Sequence, residues 1–368
     1  DMTRRVLRSV VLLALALLVL GGACAPAAAP TPTPTKAPAA ASTTAAQATK
    51  PPAPAPTTPA APTATPKPVT VKYGTTPRIA WFWADFIADS KGFYKAEGVT
   101  REEITFQTSN ELTAAMLGGS VNVGPINPSS VVTANQKGAD LTIVSSMIQK
   151  PLFSLVAKPE FKSYDQLKGK KIGVFALKGS GSTALLVRLL AAKGLKSGDY
   201  DMIAVGGTPQ RFAALKSGAV EAALLTQPQD FQIVEEGFNL LGFTTDATKL
   251  YNLASVVVSK KWATANQDAL VRFLRAQYKA TLWLYDAKNK AEAIKILADA
   301  VKVDPKYATK TYELYVEQLK AIPPDSAIAV EEIQAVIDIG QEAGELSPPL
   351  PKASDLIDNS FLEAARKG

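Results

Sequence analysis

The chain has 368 residues, a formal charge of +7, one cysteine and no histidine. Without histidine there is no Ser-His-Asp or Cys-His arrangement, no imidazole metal site, and no use of the commonest general base at neutral pH. The lone cysteine, Cys24, gives neither a disulfide framework nor a thiolate metal site, and the basic excess is spread along the chain without aromatic interleaving, which does not suit nucleic acid.

Function therefore falls to oxygen groups, amides, aromatic rings, Lys and Arg. That set suits binding better than catalysis, and no cofactor or metal is expected.

At the N-terminus, Arg4, Arg5 and Arg8 precede an apolar run, Val10 to Leu20, too short for an easy membrane span. This reads as an export signal. The following Gly21-Gly22-Ala23-Cys24 resembles a bacterial lipobox, with Gly21 where a large apolar residue is usual; Cys24 is the expected lipidation site. An ordinary signal cleaved near Ala29 is the other reading. Residues 25–68 are Ala, Pro and Thr almost throughout and cannot bury enough apolar surface to fold. Such a linker stays extended, at about 3 Å per residue, and could hold a domain off a membrane.

The periodic part begins with a strand, Val69 to Gly74, ending in Thr75-Thr76-Pro77-Arg78. A helix is predicted over Ile79 to Lys95, opening with Trp81, Phe82 and Trp83. Then come a strand at Arg101 to Gln107, a helix at Leu112 to Leu117, a strand at Val121 to Gly124 and a helix at Pro128 to Lys137. Leu141 to Ser145 and Phe153 to Ala157 are further strands. A second run starts at the capping box Ser163-Tyr164-Asp165-Gln166. Its strands are Lys171 to Phe175, Met202 to Val205, Glu221 to Leu225 and Asn239 to Phe243. Ala254 to Ser259 is an extended apolar run outside the alternation, and Gln267 to Gly344 is helical in pieces. Strands alternating with helices predict an α/β fold with mostly parallel sheets.

One stretch organises the rest. After the strand at Ile172 to Phe175, Lys178-Gly179-Ser180-Gly181-Ser182-Thr183 makes a polar turn into a helix carrying Leu185, Leu186, Leu189 and Leu190. In an open α/β sheet such a turn lies at the carboxyl edge, where ligands bind. The hydroxyls and free amides of a helix start favour an anionic or strongly polar group. No Gly-Lys-Ser/Thr closes the turn, so it is not a P-loop. Asn127-Pro128, Thr208-Pro209 and Gln227-Pro228 repeat the device, each placing a helix start after a strand. An internal echo, Leu112 to Val121 against Arg211 to Val220, suggests two similar lobes.

The residues also resemble a family. Ser163 to Val174, reading SYDQLKGKKIGV, is similar to a phrase of the periplasmic solute-binding proteins of ABC importers. Arg211 to Pro228 is similar to the phrase that follows it there, and Lys91 to Val99 resembles the "kGffk-eGl" of the NMT1/THI5-like (SsuA/TauA-like) subgroup of sulfonate, nitrate and thiamine-precursor binders. Asn122 and Glu221 depart from its usual acidic positions.

The resemblance implies a two-lobe periplasmic-binding-protein fold of type II, each lobe a mostly parallel sheet flanked by helices, with two crossing strands as hinge. Residues 69–157 and 250–368 would form lobe 1 and 158–249 lobe 2. It implies a monomer, lipid-anchored outside the cell, that delivers a small organic solute to an ABC permease and its ATPase without altering it. The expected ligand set is Arg78 against an anionic group, one of Trp81 and Trp83 stacking on the solute, and Thr76, Ser109, Asn110, Asn127, Lys178, Ser180, Gly181, Ser182, Thr183, Thr208 and Gln227 as polar contacts. A ring-bearing vitamin or pyrimidine precursor fits that set; a sulfonate- or nitrate-type anion is the alternative, and an enzyme on the same fold a further one.

Overall fold

A computed structural model describes residues 67–178 and 180–368. The export signal, Cys24, the linker up to residue 66, and Gly179 in the polar turn lie outside the described residues.

The chain enters with β1 (Val69–Thr75). The predicted helix after it is divided. A 3-10 turn at Ala80–Phe82 leads into α1 (Trp83–Ser90), and Gly92, at φ 71°, turns the backbone left-handed before the short α2 (Phe93–Ala96). β2 (Val99–Thr105), α3 (Ser109–Leu117), β3 (Val123–Ile126), α4 (Pro128–Gln136) and β4 (Leu141–Ile148) complete the first run.

The chain crosses at 149–153 into β5 (Ser154–Ala157), followed by β6 (Lys171–Val174), α5 (Gly181–Ala192), β7 (Asp201–Ala204) and α6 (Thr208–Ser217). Next come β8 (Ala222–Leu225), α7 (Gln229–Glu235) and β9 (Asn239–Phe243). It returns at 244–253 into β10 (Ala254–Ser259). The remaining helices are α8 (Lys260–Ala265), α9 (Gln267–Tyr285), α10 (Lys290–Val301), α11 (Pro305–Tyr312), α12 (Val330–Glu342) and α13 (Ser360–Arg366). A π-helical turn, Glu313–Gln318, extends α11.

Two five-stranded sheets result, in the orders β2-β1-β3-β10-β4 and β7-β6-β8-β5-β9. Each has four parallel strands and one antiparallel strand, β10 in the first and β5 in the second. Both antiparallel strands are the first to follow a crossing. The expected boundary at Ala157 therefore moves: Ser154–Ala157 hydrogen-bonds into the second sheet, opposite β8, and the chain leaves the first sheet before it.

Alternation along the strands sends side chains to two faces. Val256 and Val258 of β10 join one apolar cluster and Val257 another; Leu155 and Val156 of β5 divide in the same way. Strands buried on both faces read as continuous apolar runs, as these do. The largest cluster runs from Val123 and Val258 of the first sheet, through Phe153, Tyr251 and Leu253 of the crossings, to Ile172 and Leu224 of the second. A buried polar knot fixes α1 to β2. Tyr73, Tyr94 and Gln277 donate to the Asp85 carboxylate at 2.7, 2.5 and 2.7 Å, and Arg101 lies 3.3 Å from it between the Tyr73 and Tyr94 rings. Among the described residues, no helix is long and apolar enough to cross a membrane.

Candidate functional site

Four helix starts meet between the sheets. Ser109 opens α3, Asn127 caps α4, Ser180 and Ser182 flank the start of α5, and Thr208 opens α6; all five line one cavity of about 60 Å³. The first two starts belong to the first sheet and the last two to the second. Thr76 and Trp81 complete the predicted residues in the wall. Ile79, Phe82, Phe153, Phe175 and Leu253 add apolar surface. Trp81 stands edge-on to Phe153 of the first crossing, with ring centroids 5.4 Å apart.

Much of the polar wall is already engaged. Asn127 accepts from the Ser129 amide at 2.9 Å and donates to the Leu253 carbonyl at 2.8 Å, so it braces α4 against the second crossing. Ser180 and Ser182 share a hydrogen bond of 2.8 Å, and Thr208 and Thr226 one of 2.9 Å. The Ser180 amide donates to Glu345, whose carboxyl burial pushes up to about 7.

The lips touch. Gln210 of α6 donates to Gln107, beyond β2, at 3.0 Å, and a Cβ on Gly207 would lie 3.1 Å from Pro77. Arg188, which also donates to the Ala247 carbonyl of the second crossing, pairs with Glu342, and Lys306 pairs with Glu235, across the same divide. Contacts therefore cross the mouth of the cleft.

Other predicted residues lie elsewhere. Arg78 is exposed, 3.7 Å from Glu103 and over the Phe86 ring. Trp83 is fully buried, donating to the Ala293 carbonyl at 3.0 Å and packing on Tyr312. Asn110 and Lys178 line a separate open hollow beside α3 and α4. Thr183 donates inward to the Ala176 carbonyl. Gln227 donates to Ser154 and Asp230 at 3.1 and 2.7 Å and accepts from Tyr315 at 2.9 Å, beneath the cavity. Gly181 presses against Tyr251 and allows the sheets to meet.

One wall residue escaped the sequence reading. Arg211, in the first turn of α6, is 2% exposed and donates from Nη2 to Thr208 Oγ1 at 2.9 Å. Its position carries a signal that was available: a cation in the first turn of a helix opposes the macrodipole, which favours acids there.

The sequence pattern of the NMT1/THI5-like family matches residues 81–291, more than half of the chain. The chain belongs to this family. A candidate binding protein of Bacillus subtilis (strain 168), YtlA, is 24% identical to this NMT1/THI5-like chain over 288 residues, covering 76% of it and 84% of YtlA. The 4-amino-5-hydroxymethyl-2-methylpyrimidine phosphate synthase THI12 of Saccharomyces cerevisiae is 21% identical over 238 residues, 60% of this chain and 65% of that enzyme. Among solved structures, the alkanesulfonate-binding protein SsuA from Xanthomonas axonopodis pv. citri, bound to MOPS, superposes with a TM-score of 0.65 at 21% identity. The match covers 79% of this chain and 99% of that one. The two mixed sheets flanked by helices are the two-lobe α/β arrangement of type II periplasmic binding proteins.

Proposed function

We propose that this NMT1/THI5-like chain captures a small organic solute between its lobes and hands it, unchanged, to an ABC permease powered by its ATPase. The observation that carries this reading is the convergence of four helix starts, two from each sheet, on one cavity. Opening and closing about the crossings at 149–153 and 244–253 would admit and release the solute. Lipidation of Cys24 and an extended linker would hold the protein outside the membrane as a monomer, within reach of the permease.

Two features favour binding over catalysis. Among the described residues the wall holds no carboxylate, amine or thiol to move a proton. Ser180 and Ser182 are tied to each other, and Thr208 to Thr226, rather than to a base. Cavity size bears on the solute: about 60 Å³ is under half of the ~150 Å³ that takes benzene. The closed form therefore fits a compact solute, and a pyrimidine-sized ring would need the lips to part.

Native mass spectrometry of protein purified without denaturation tests the reading. The expected result is a retained small molecule that is released intact. A molecule chemically converted on incubation would replace binding with catalysis.

A further inference from the structure

The start of α5 is completed from outside its own sheet. Ser180 is the N-cap, but its side chain caps no first-turn amide; its hydroxyl is shared with Ser182 at 2.8 Å. The Ser180 amide donates instead to the Glu345 carboxyl. α5 joins β6 to β7 of the second sheet. Glu345 follows α12, whose Ile333 and Ile337 pack with Leu141, Ile143 and Val257 of the first. An acid from one side of the divide thus serves a helix start on the other, where partial positive charge favours it.

α12 delivers that acid against its own helical interest. Acids near a helix C-terminus oppose the macrodipole, yet Glu342 ends α12, Glu345 follows it, and the last turn holds no basic residue. Both acids meet α5: Glu342 pairs with Arg188, and Glu345 takes the Ser180 amide. The delivery is firm. Gly344, at φ 70°, turns the backbone left-handed, and the Glu345 and Leu346 amides donate to the Gly340 carbonyl at 2.8 and 3.0 Å. Leu346 then enters the apolar cluster of the first sheet. The Glu345 backbone is therefore fixed to α12 and moves relative to α5 only as the two sheets move.

The carboxyl is poorly placed for a permanent charge. Its Oε2 is buried without a hydrogen-bond partner. Burial pushes it up to about 7, with the Ser180 amide pulling the other way. Among the described residues no cation answers it. Arg188 on α5 is taken by Glu342, and Lys178, in the turn before α5, lines the separate open hollow. From the second crossing comes Tyr251, which burial keeps neutral. α4, which packs on both α5 and α12, carries uncharged Asn127, Ser129 and Ser130 at that end. Ser180 also lines the cavity, so widening the cavity draws its amide away from Glu345 and lets water reach the carboxyl.

We propose that Glu345 is a proton-operated latch between the lobes: its carboxyl takes a proton from solvent as the start of α5 closes on it, and returns that proton as the lobes part. The latch rests on the solute-binding reading above only in making that parting the route of the solute. With the lobes apart, the carboxyl is hydrated and near its ordinary value, about 4.3. With the lobes together, it holds the proton more tightly. Support for closure is therefore fully present below about pH 4 and is lost as pH rises through 7. Between pH 5.5 and 8 the ratio of closed to open protein should fall by about 10- to 30-fold.

Small-angle scattering of the full chain without solute, from pH 5.5 to 8, tests the latch, with melting temperature as the check on folding. The chain has no histidine and residues 25–66 hold no carboxylate, so few groups change charge in that range. Asp89 and Asp230, both near 6, are common to every variant. The native particle is expected to be smaller at pH 5.5 than at pH 8, with a midpoint near 7. Glu345→Gln keeps an acceptor for the Ser180 amide and cannot ionise, so it should stay contracted throughout. Glu342→Gln, which removes only the exposed pair with Arg188, should keep the native midpoint. A native particle of one size at every pH would overturn the latch, as would a Glu345→Gln variant that expands with the native protein or fails to fold, or a Glu342→Gln variant that no longer responds. The solute-binding reading is judged separately: a molecule retained in native mass spectrometry upholds it even if scattering is flat, and scattering can respond even if none is retained.

Discussion

Gly181→Ala separates closure from folding. Gly181 is the first residue of α5, and a Cβ built on it lies 1.9 Å from Tyr251 Oη and 2.9 Å from Asn127 Oδ1. Tyr251 cannot swing away, because it is fully buried among the residues of both sheets. To reach ordinary contact, the start of α5 must withdraw by about 1.5 Å. The Gly181 backbone is not left-handed, so alanine strains nothing within α5 itself. Overpacking of this kind costs about 1–3 kcal/mol. Here it falls on the seam between the start of α5 and Tyr251 of the second crossing, not inside either sheet. Solute affinity should drop by roughly 5- to 150-fold, and scattering should show a more open particle at saturating solute. The ligand-free melting temperature should hardly change. Tryptophan fluorescence, with Trp81 in the wall, can follow the titration. Native affinity and full contraction in the variant would refute the argument; a large fall in ligand-free melting temperature would show strain within α5 instead of blocked closure.

Trp83→Ala should destabilise the protein by about 3–5 kcal/mol, read in urea unfolding, because Trp83 is fully buried against Tyr312. Trp81→Phe should cost far less and mainly remove the fluorescence response to solute; equal losses at the two positions would contradict their placement. Asp230 is buried, accepts from Ser154 and Gln227, and burial pushes its carboxyl up to about 6. The folded protein therefore holds this proton more tightly than the unfolded chain, so its contribution is fully present below about pH 4 and is lost as pH rises through 6. Asp230→Asn should flatten unfolding free energy against pH between about 4 and 7 relative to the native protein, and parallel curves would exclude this role. Cys24→Ala should move the expressed protein from the membrane fraction to the soluble fraction; unchanged partition would rule out the lipid anchor.

The strands were legible because buried strands are apolar throughout. β9 and β10 lie where the pattern put them, at Asn239–Phe243 and Ala254–Ser259. Their directions were not legible, since an apolar run carries no mark of parallel or antiparallel pairing. β2 begins two residues before the predicted Arg101, on an exposed edge whose charged residues hide the pattern. β3 contains Gly124 and Pro125, which argue against a strand locally, and only its neighbours hold it extended. Helix-start chemistry pointed to Asn127, Ser180, Ser182 and Thr208, which line the cavity, because a polar residue at the start of a helix after a strand is fixed by local geometry; Ser109, read only as a polar residue at a strand end, lines it as well. Charge alone misled: Arg78 and Lys178 were expected in the cleft and face other surfaces. Gln227 faces inward because of Tyr315, 88 residues away, a partner no local pattern reveals.

The antiparallel strands carry a consequence for synthesis. The second sheet is one continuous stretch, β5 to β9, and every strand it needs has been made by Phe243. The first sheet has a gap at its heart: β3 and β4 are joined only through β10, which emerges some hundred residues after β4. Until then two apolar strands stand with bare edges, open to pairing with other chains. The half that begins first must finish last, and the ribosome completes the domain in the reverse of the order in which it starts.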